Sequence, residues 1–284
     1  MRKKEKQVQA PAFEISGTNR KMINYQVYEM TANEKAIYFL IAFVIGAAVA
    51  YLFYGGIGKD EYGNPTVLTY ILDVAIMLIV GFLAGKFFLP IRRNQIIEAR
   101  KKKLRKQFVD LLDSLATSIS SGKNIPNAFI AAKEDLLVQY DADAFIVQEV
   151  DNIIAGINNN LDIGGMLLNF GERSGLTDIR TFGRVFETAV SKGANMKEVI
   201  RNSHVIISNK CEIEGEIETK VASNKNEQNI MVIMPVILIM MIKFAGSDFA
   251  TNFTTPTGIL STTVAIGMFV GAYMLGRKIL KIEV

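Results

Sequence analysis

The sequence predicts an all-α integral membrane protein, with four transmembrane helices arranged as two hairpins and a central bundle of about six helices between them. Three observations predict it. Four apolar runs, at about 36–54, 67–89, 230–246 and 259–275, each approach the length a helix needs to cross a bilayer core. The stretch between the second and third runs, 91–229, is polar enough for water and repeats its apolar residues at helical spacing. No segment alternates apolar and polar residues at period two, so no sheet is expected.

Composition narrows the class further. The chain has 284 residues, 50% of them hydrophobic, and a formal charge of +4. Its basic residues cluster beside the apolar runs, a pattern of membrane orientation rather than nucleic-acid binding. The single cysteine, Cys211, excludes an intrachain disulfide, and the single histidine, His204, excludes paired-histidine chemistry.

Residues 1–35 carry Arg2, Lys3, Lys4, Lys6, Arg20 and Lys21 with little periodicity, and read as a flexible basic tail with an amphipathic lead-in at 25–30. They have no cleavable signal pattern. Thr31 and Glu34 fit a capping box for the first apolar helix, 36–54, which has Tyr38, Tyr51 and Tyr54 near its ends. A glycine-rich turn leads to 67–89, and the two runs make the first hairpin, 36–90. Asp73 and Lys86 lie near the ends of the second run, Asp73 as an interfacial or bundle-paired carboxylate and Lys86 as a snorkelling side chain.

After Pro90 comes a basic block of Arg92, Arg93, Arg100, Lys101, Lys102, Lys103, Arg105 and Lys106. Beside an apolar helix such a block marks the cytosolic side, and it could hold anionic lipid or an acidic partner. Phe108, Leu111, Leu112, Leu115 and Ile119 define a buried stripe on the first bundle helix. Ser121 and Gly122 end that helix, and Asn124 with Pro126 opens the next, whose apolar face is Ala128, Phe129, Ala132 and Leu136. A third helix uses Phe145, Val150, Ile153, Ile154 and Ile157. A short fourth runs from 163 to 170 and ends at Gly171. Ile179, Phe182, Val185, Phe186 and Ala189 line a fifth, capped near Gly193. Asn195 and Glu198 open a long sixth helix with Val199, Ile206, Ile213, Ile217 and Val221 on its apolar side, running directly into the third membrane run.

The second hairpin spans 230–276. Pro235 predicts a kink within its first helix, and Gly267 and Gly271 supply a face for close helix packing in its second. Lys243 lies near the far end of the first helix, and residues 277–284 form a short basic tail with Arg277, Lys278 and Lys281. Both termini and the central block are basic, whereas the hairpin loops hold little positive charge besides Lys59. Both termini and the bundle are therefore expected in the cytosol, with the chain in the cytoplasmic or inner membrane.

Catalytic, cofactor and metal residues are not expected. The block has no P-loop, no dinucleotide glycine fingerprint and no nucleophile beside a base. Glu212, Glu214, Glu216 and Glu218 alternate along a helix and so spread around it instead of converging. His204 and Cys211 read as ordinary helix residues. A small transporter or channel using Asp73, Lys86 and Lys243, or a membrane-bound signalling scaffold, stands as the alternative.

Residues 108–129, FVDLLDSLATSISSGKNIPNAF, the segment Gly171, Glu172, Arg173, Gly175 with Asp178, and the turn at Gly193 together carry a resemblance. The chain resembles the type II secretion system F-domain family, in particular the TadB/TadC-type platform proteins of tight-adherence pilus systems. It departs from the family pattern at Lys192, where a first glycine is usual. The resemblance covers about 108–242 and implies a non-enzymatic assembly platform. Its implied partners are a cytosolic secretion ATPase, pilin subunits, membrane lipids, and a second copy or a sibling F-domain protein, with no nucleic acid. The basic block and the turns at Gly122 and Gly175 are the candidate ATPase-facing surface.

Overall fold

In the computed structural model, residues 11–15, 17, 19–58, 64–244 and 252–280 are described. Arg2, Lys3, Lys4, Lys6, Lys59 and Lys281 lie outside them. About 81% of the described residues are helical. The order is β1 Phe13–Ile15, β2 Lys21–Ile23, α1 Ala32–Tyr54, α2 Val67–Ser120, α3 Ile125–Gln139, α4 Phe145–Asn158, α5 Ile163–Ser174, α6 Thr177–Ser191, α7 Met196–Phe244 and α8 Pro256–Leu280. Four helices, α1, α2, α7 and α8, are long and apolar enough to cross a membrane.

The chain divides into two compact units, one of residues 1–29 with 93–213 and one of residues 30–92 with 214–284. The helices α2 and α7 each contribute residues to both.

In the first unit the expected stripe on α2 is the spine of the core. Phe108, Leu111, Leu112 and Leu115 are at most 1% exposed, and Leu104 extends the stripe by one turn. Phe108 meets Phe170 and Phe182 edge-to-face at 6.1 and 5.6 Å, joining α2 to α5 and α6. The end of α2 and the start of α3 follow the predicted chemistry. Gly122 takes φ 89°, and the Asn124 side chain accepts from Asn127 N at 3.0 Å. Ala128, Phe129, Ala132 and Leu136 are fully buried.

Several expectations are corrected. Residues 13–15 and 21–23 pair as an antiparallel hairpin, where no sheet was expected. Three-residue strands are too short to show periodicity. The same segment is not a free tail, because Tyr25 is 0% exposed in the core and Met22 is also buried. The fourth bundle helix does not stop at Gly171. It runs to Ser174, and Gly175 caps it at φ 64°. Gly171 is instead a crossing point, where a Cβ would lie 2.5 Å from the Arg180 Cα.

One residue of the expected α6 face and the expected face of α7 also differ from expectation. Val185 is 43% exposed while Ile179, Phe182 and Phe186 are buried. On α7, Ile206 and Ile213 are 67% and 54% exposed, whereas Ile200 and Ile207 are buried and Cys211 packs partly buried on the core. One residue is a 100° turn, so two apolar stripes a residue apart cannot both face inward.

In the second unit, the capping box expected at α1 is present, with Glu34 Oε2 accepting from Thr31 N at 2.9 Å. The helices α1 and α2 approach closely through small residues. A Cβ on Gly46 would meet Ala84 at 2.6 Å, and Gly81 and Gly85 pack under Phe43 and Phe39. This pair at i and i+4 on α2 does what was expected of Gly267 and Gly271, where an added Cβ would meet no other part of the described residues within 4 Å. Pro90 and Pro235 both sit inside continuous helices.

Candidate functional site

The basic block of α2 is not gathered into one patch. Successive helical residues point 100° apart, so residues 100–103 face in every direction. The Arg92 guanidinium lies 5.1 Å from the centre of the Tyr38 ring, and Arg100 covers Tyr28 at 4.2 Å. Lys103 lies 5.7 Å from the Phe145 ring, and Arg105 pairs with Asp178 at 3.3 Å. Lys101 is half-buried, while Arg93, Lys102, Lys103 and Lys106 are exposed.

The turn residues converge on something more definite. Arg173, on α5, is 3% exposed and makes a two-point ion pair with Glu149 of α4, itself 2% exposed. Nη2 donates to Oε2 at 2.6 Å and Nη1 to Oε1 at 2.8 Å. Nε donates to Asn169 Oδ1, and Nη1 also donates to the carbonyl of Ile23. The Tyr25 hydroxyl completes the node by donating to Glu149 Oε1 at 3.0 Å. Each carboxylate oxygen therefore has a donor, as burial of an ion pair requires.

Electrostatics follow from this packing. Burial, with the charge and hydrogen bond of Glu149 added, pushes the Tyr25 phenol far above its ordinary pKa. Burial alone would lower the Arg173 guanidinium, but the bond and charge of Glu149 more than offset it, and the net direction is upward. Tyr25 thus stays a neutral donor and Arg173 a cation.

The node ties the N-terminal segment to the bundle. Tyr25 N donates to the Arg173 carbonyl at 3.0 Å, and Gln26 Nε2 donates to the Glu172 carbonyl at 2.6 Å. Gly175 sits beneath the Gln26 side chain, where a Cβ would come within 2.7 Å of Cγ. Glu172, Arg173 and Gly175, singled out in the sequence, are therefore a fastening point for residues 23–26. Sequence reasoning missed Tyr25 and Glu149, its two partners. A lone buried-type carboxylate on the apolar face of α4 was the available signal.

The other named residues occupy separate places. Asp178 joins three elements, pairing with Lys210 of α7 at 2.9 Å as well as Arg105 of α2. Ser121 Oγ donates to the Ser118 carbonyl, and Gly193 takes φ 63° after α6. His204 lies 3.8 Å from Asp113. Asp73 accepts from Gly56 N at 3.0 Å, and Lys243 Nζ donates to the Gly55 carbonyl at 3.1 Å, so both charges serve the turn after α1. Glu212, Glu216 and Glu218 are exposed around α7, and no metal-ligating cluster occurs among the described residues. No family model, curated protein or solved structure matches the chain.

Proposed function

We propose that the chain is a non-enzymatic inner-membrane platform of a type II secretion or tight-adherence pilus machine, coupling a cytosolic ATPase to the extraction and assembly of pilin subunits. In this reading the bundle and both termini face the cytosol, and the platform pairs with itself or with a sibling F-domain protein. The observation that carries the reading is the continuity of α7. One helix of 49 residues holds Ile200 and Ile207 in the bundle core and continues into the apolar stretch after Asn229. Movement of the bundle would then pass along a stiff rod. The positive residues beside the apolar helices support the orientation. Asp73 and Lys243 are engaged by turn backbone, which weighs against a transport pathway through them.

Copurification from membranes tests the proposal. A platform brings down a hexameric ATPase and an F-domain partner. Recovery of the chain without either, alongside solute flux in liposomes, would replace it with the transporter reading.

A further inference from the structure

Where α3 gives way to α4, a cavity of about 340 Å³ is lined by Lys103 and Gln107 of α2 and by Asp141, Asp143, Ala144 and Phe145, among others. The 14-residue helix α4 begins there with Ala144 as its N-cap, a residue with no side-chain acceptor. The Gln107 side chain substitutes from α2, its Oε1 accepting from Ile146 N at 3.3 Å. That bond fixes which way round the amide sits. Its Nε2, on a side chain 1% exposed, is left without an acceptor among the described residues. A buried donor left in this state is costly and calls for an oxygen.

Lys103 lies one turn before Gln107, with its ammonium near the Phe145 ring. The helix start without a side-chain cap of its own, the orphan amide and the ammonium all favour an anionic oxygen. Asp141 and Asp143 are exposed at the same cavity and oppose a free polyanion. They suit a carboxylate that arrives with a cation beside it. Leu137 and Val138, 42% and 87% exposed, add an apolar wall.

We propose that this cavity docks a segment of a partner protein carrying an acidic side chain next to a basic one. The carboxylate caps α4 and meets Gln107 and Lys103, and the basic group meets Asp141 and Asp143. The site is independent of the platform reading, since its test needs no ATPase and a failed copurification would leave it standing.

The probe is the acetylated, amidated tripeptide Leu-Glu-Lys, titrated onto the full-length protein in detergent. The Glu peptide raises the thermal midpoint and the Leu-Gln-Lys control does not. Ala144→Asp, which gives α4 a resident cap, raises the midpoint by itself and abolishes the response to the peptide. Lys103→Gln weakens binding about tenfold, as loss of one charged contact should. Should Ala144→Asp fail to fold, Gln107→Glu takes its place, keeping the acceptor for Ile146 N while repelling the probe. Equal responses to the Glu and Gln peptides, no response to either, or an unchanged response in the variants would overturn the proposal.

Discussion

The hydroxyl of Tyr25 donates to the carboxylate of Glu149 at 3.0 Å, across 124 positions of sequence. That bond ties the N-terminal segment to the bundle. Tyr25→Phe removes one donor while Arg173 still serves the same oxygen, so it should cost only about 1 kcal/mol. Tyr25→Ala also empties the ring site against Phe145 and should cost about 3–5 kcal/mol. Denaturant unfolding of the purified protein measures both.

Tyr25 also predicts a dependence on alkali. Its phenol keeps a proton in the folded state that the unfolded chain loses near the ordinary value of 10.0. Above that pH the unfolded state binds fewer protons, so stability falls as pH rises, by about 1.4 kcal/mol per unit for this group. Tyr25→Phe should flatten that part of the curve. An identical alkaline slope in the variant would contradict the assignment.

Arg173→Met strands Glu149 in a buried site, and about 3–5 kcal/mol should be lost. Adding Glu149→Leu removes the stranded charge and should recover a large part of the loss. A double-mutant cycle reads the coupling, and strict additivity would mean the pair does not act as a unit.

Gly171→Ala tests the α5–α6 crossing. The added methyl would meet backbone of Arg180, which cannot swing aside as a side-chain tip could. A loss of about 1–3 kcal/mol is expected, against a few tenths or less if the helices can separate freely.

Continuity of α7 is tested by inserting a flexible glycine linker near Asn226. If the chain is the platform proposed above, piliation stops while membrane insertion continues, and normal piliation would remove the stiff-rod coupling from the proposal.

Charge reversal at Lys101, Lys102 and Lys103 addresses the basic block. The side chains point around α2 rather than together, so a partner could meet only some of them. Reduced ATPase recovery with unchanged insertion is expected. Full recovery would exclude this stretch as the contact surface.

Much of the bundle was legible because local rules decide it. Asn124 caps α3, Gly122 and Gly193 adopt left-handed turns, and the 108–115 stripe is buried as its spacing requires. What was not legible depends on partners distant in sequence. Nothing local in residues 13–25 announces that Arg173 will hold the Ile23 carbonyl. On α7, Ile206 and Ile207 are equally apolar, and only the position of the neighbouring helices makes Ile207 the inner one. Gly171 resembled a helix end because its role, close approach to α6, leaves no mark in its own neighbours. The basic block was read by composition, which carries no directions.

The node of Tyr25, Glu149 and Arg173 sets an order for biogenesis. The tyrosine leaves the ribosome long before either partner exists. At about 5–20 residues per second, roughly seven to thirty seconds pass before Arg173 is synthesised. During that interval α1 and the apolar part of α2 have already emerged, so the segment that will fill the core must wait, unclaimed, while the first two long apolar helices are made. Closure of the node is therefore a late folding event. A chain stalled before α5 should carry Tyr25 exposed to protease, and completion of α5 should protect it.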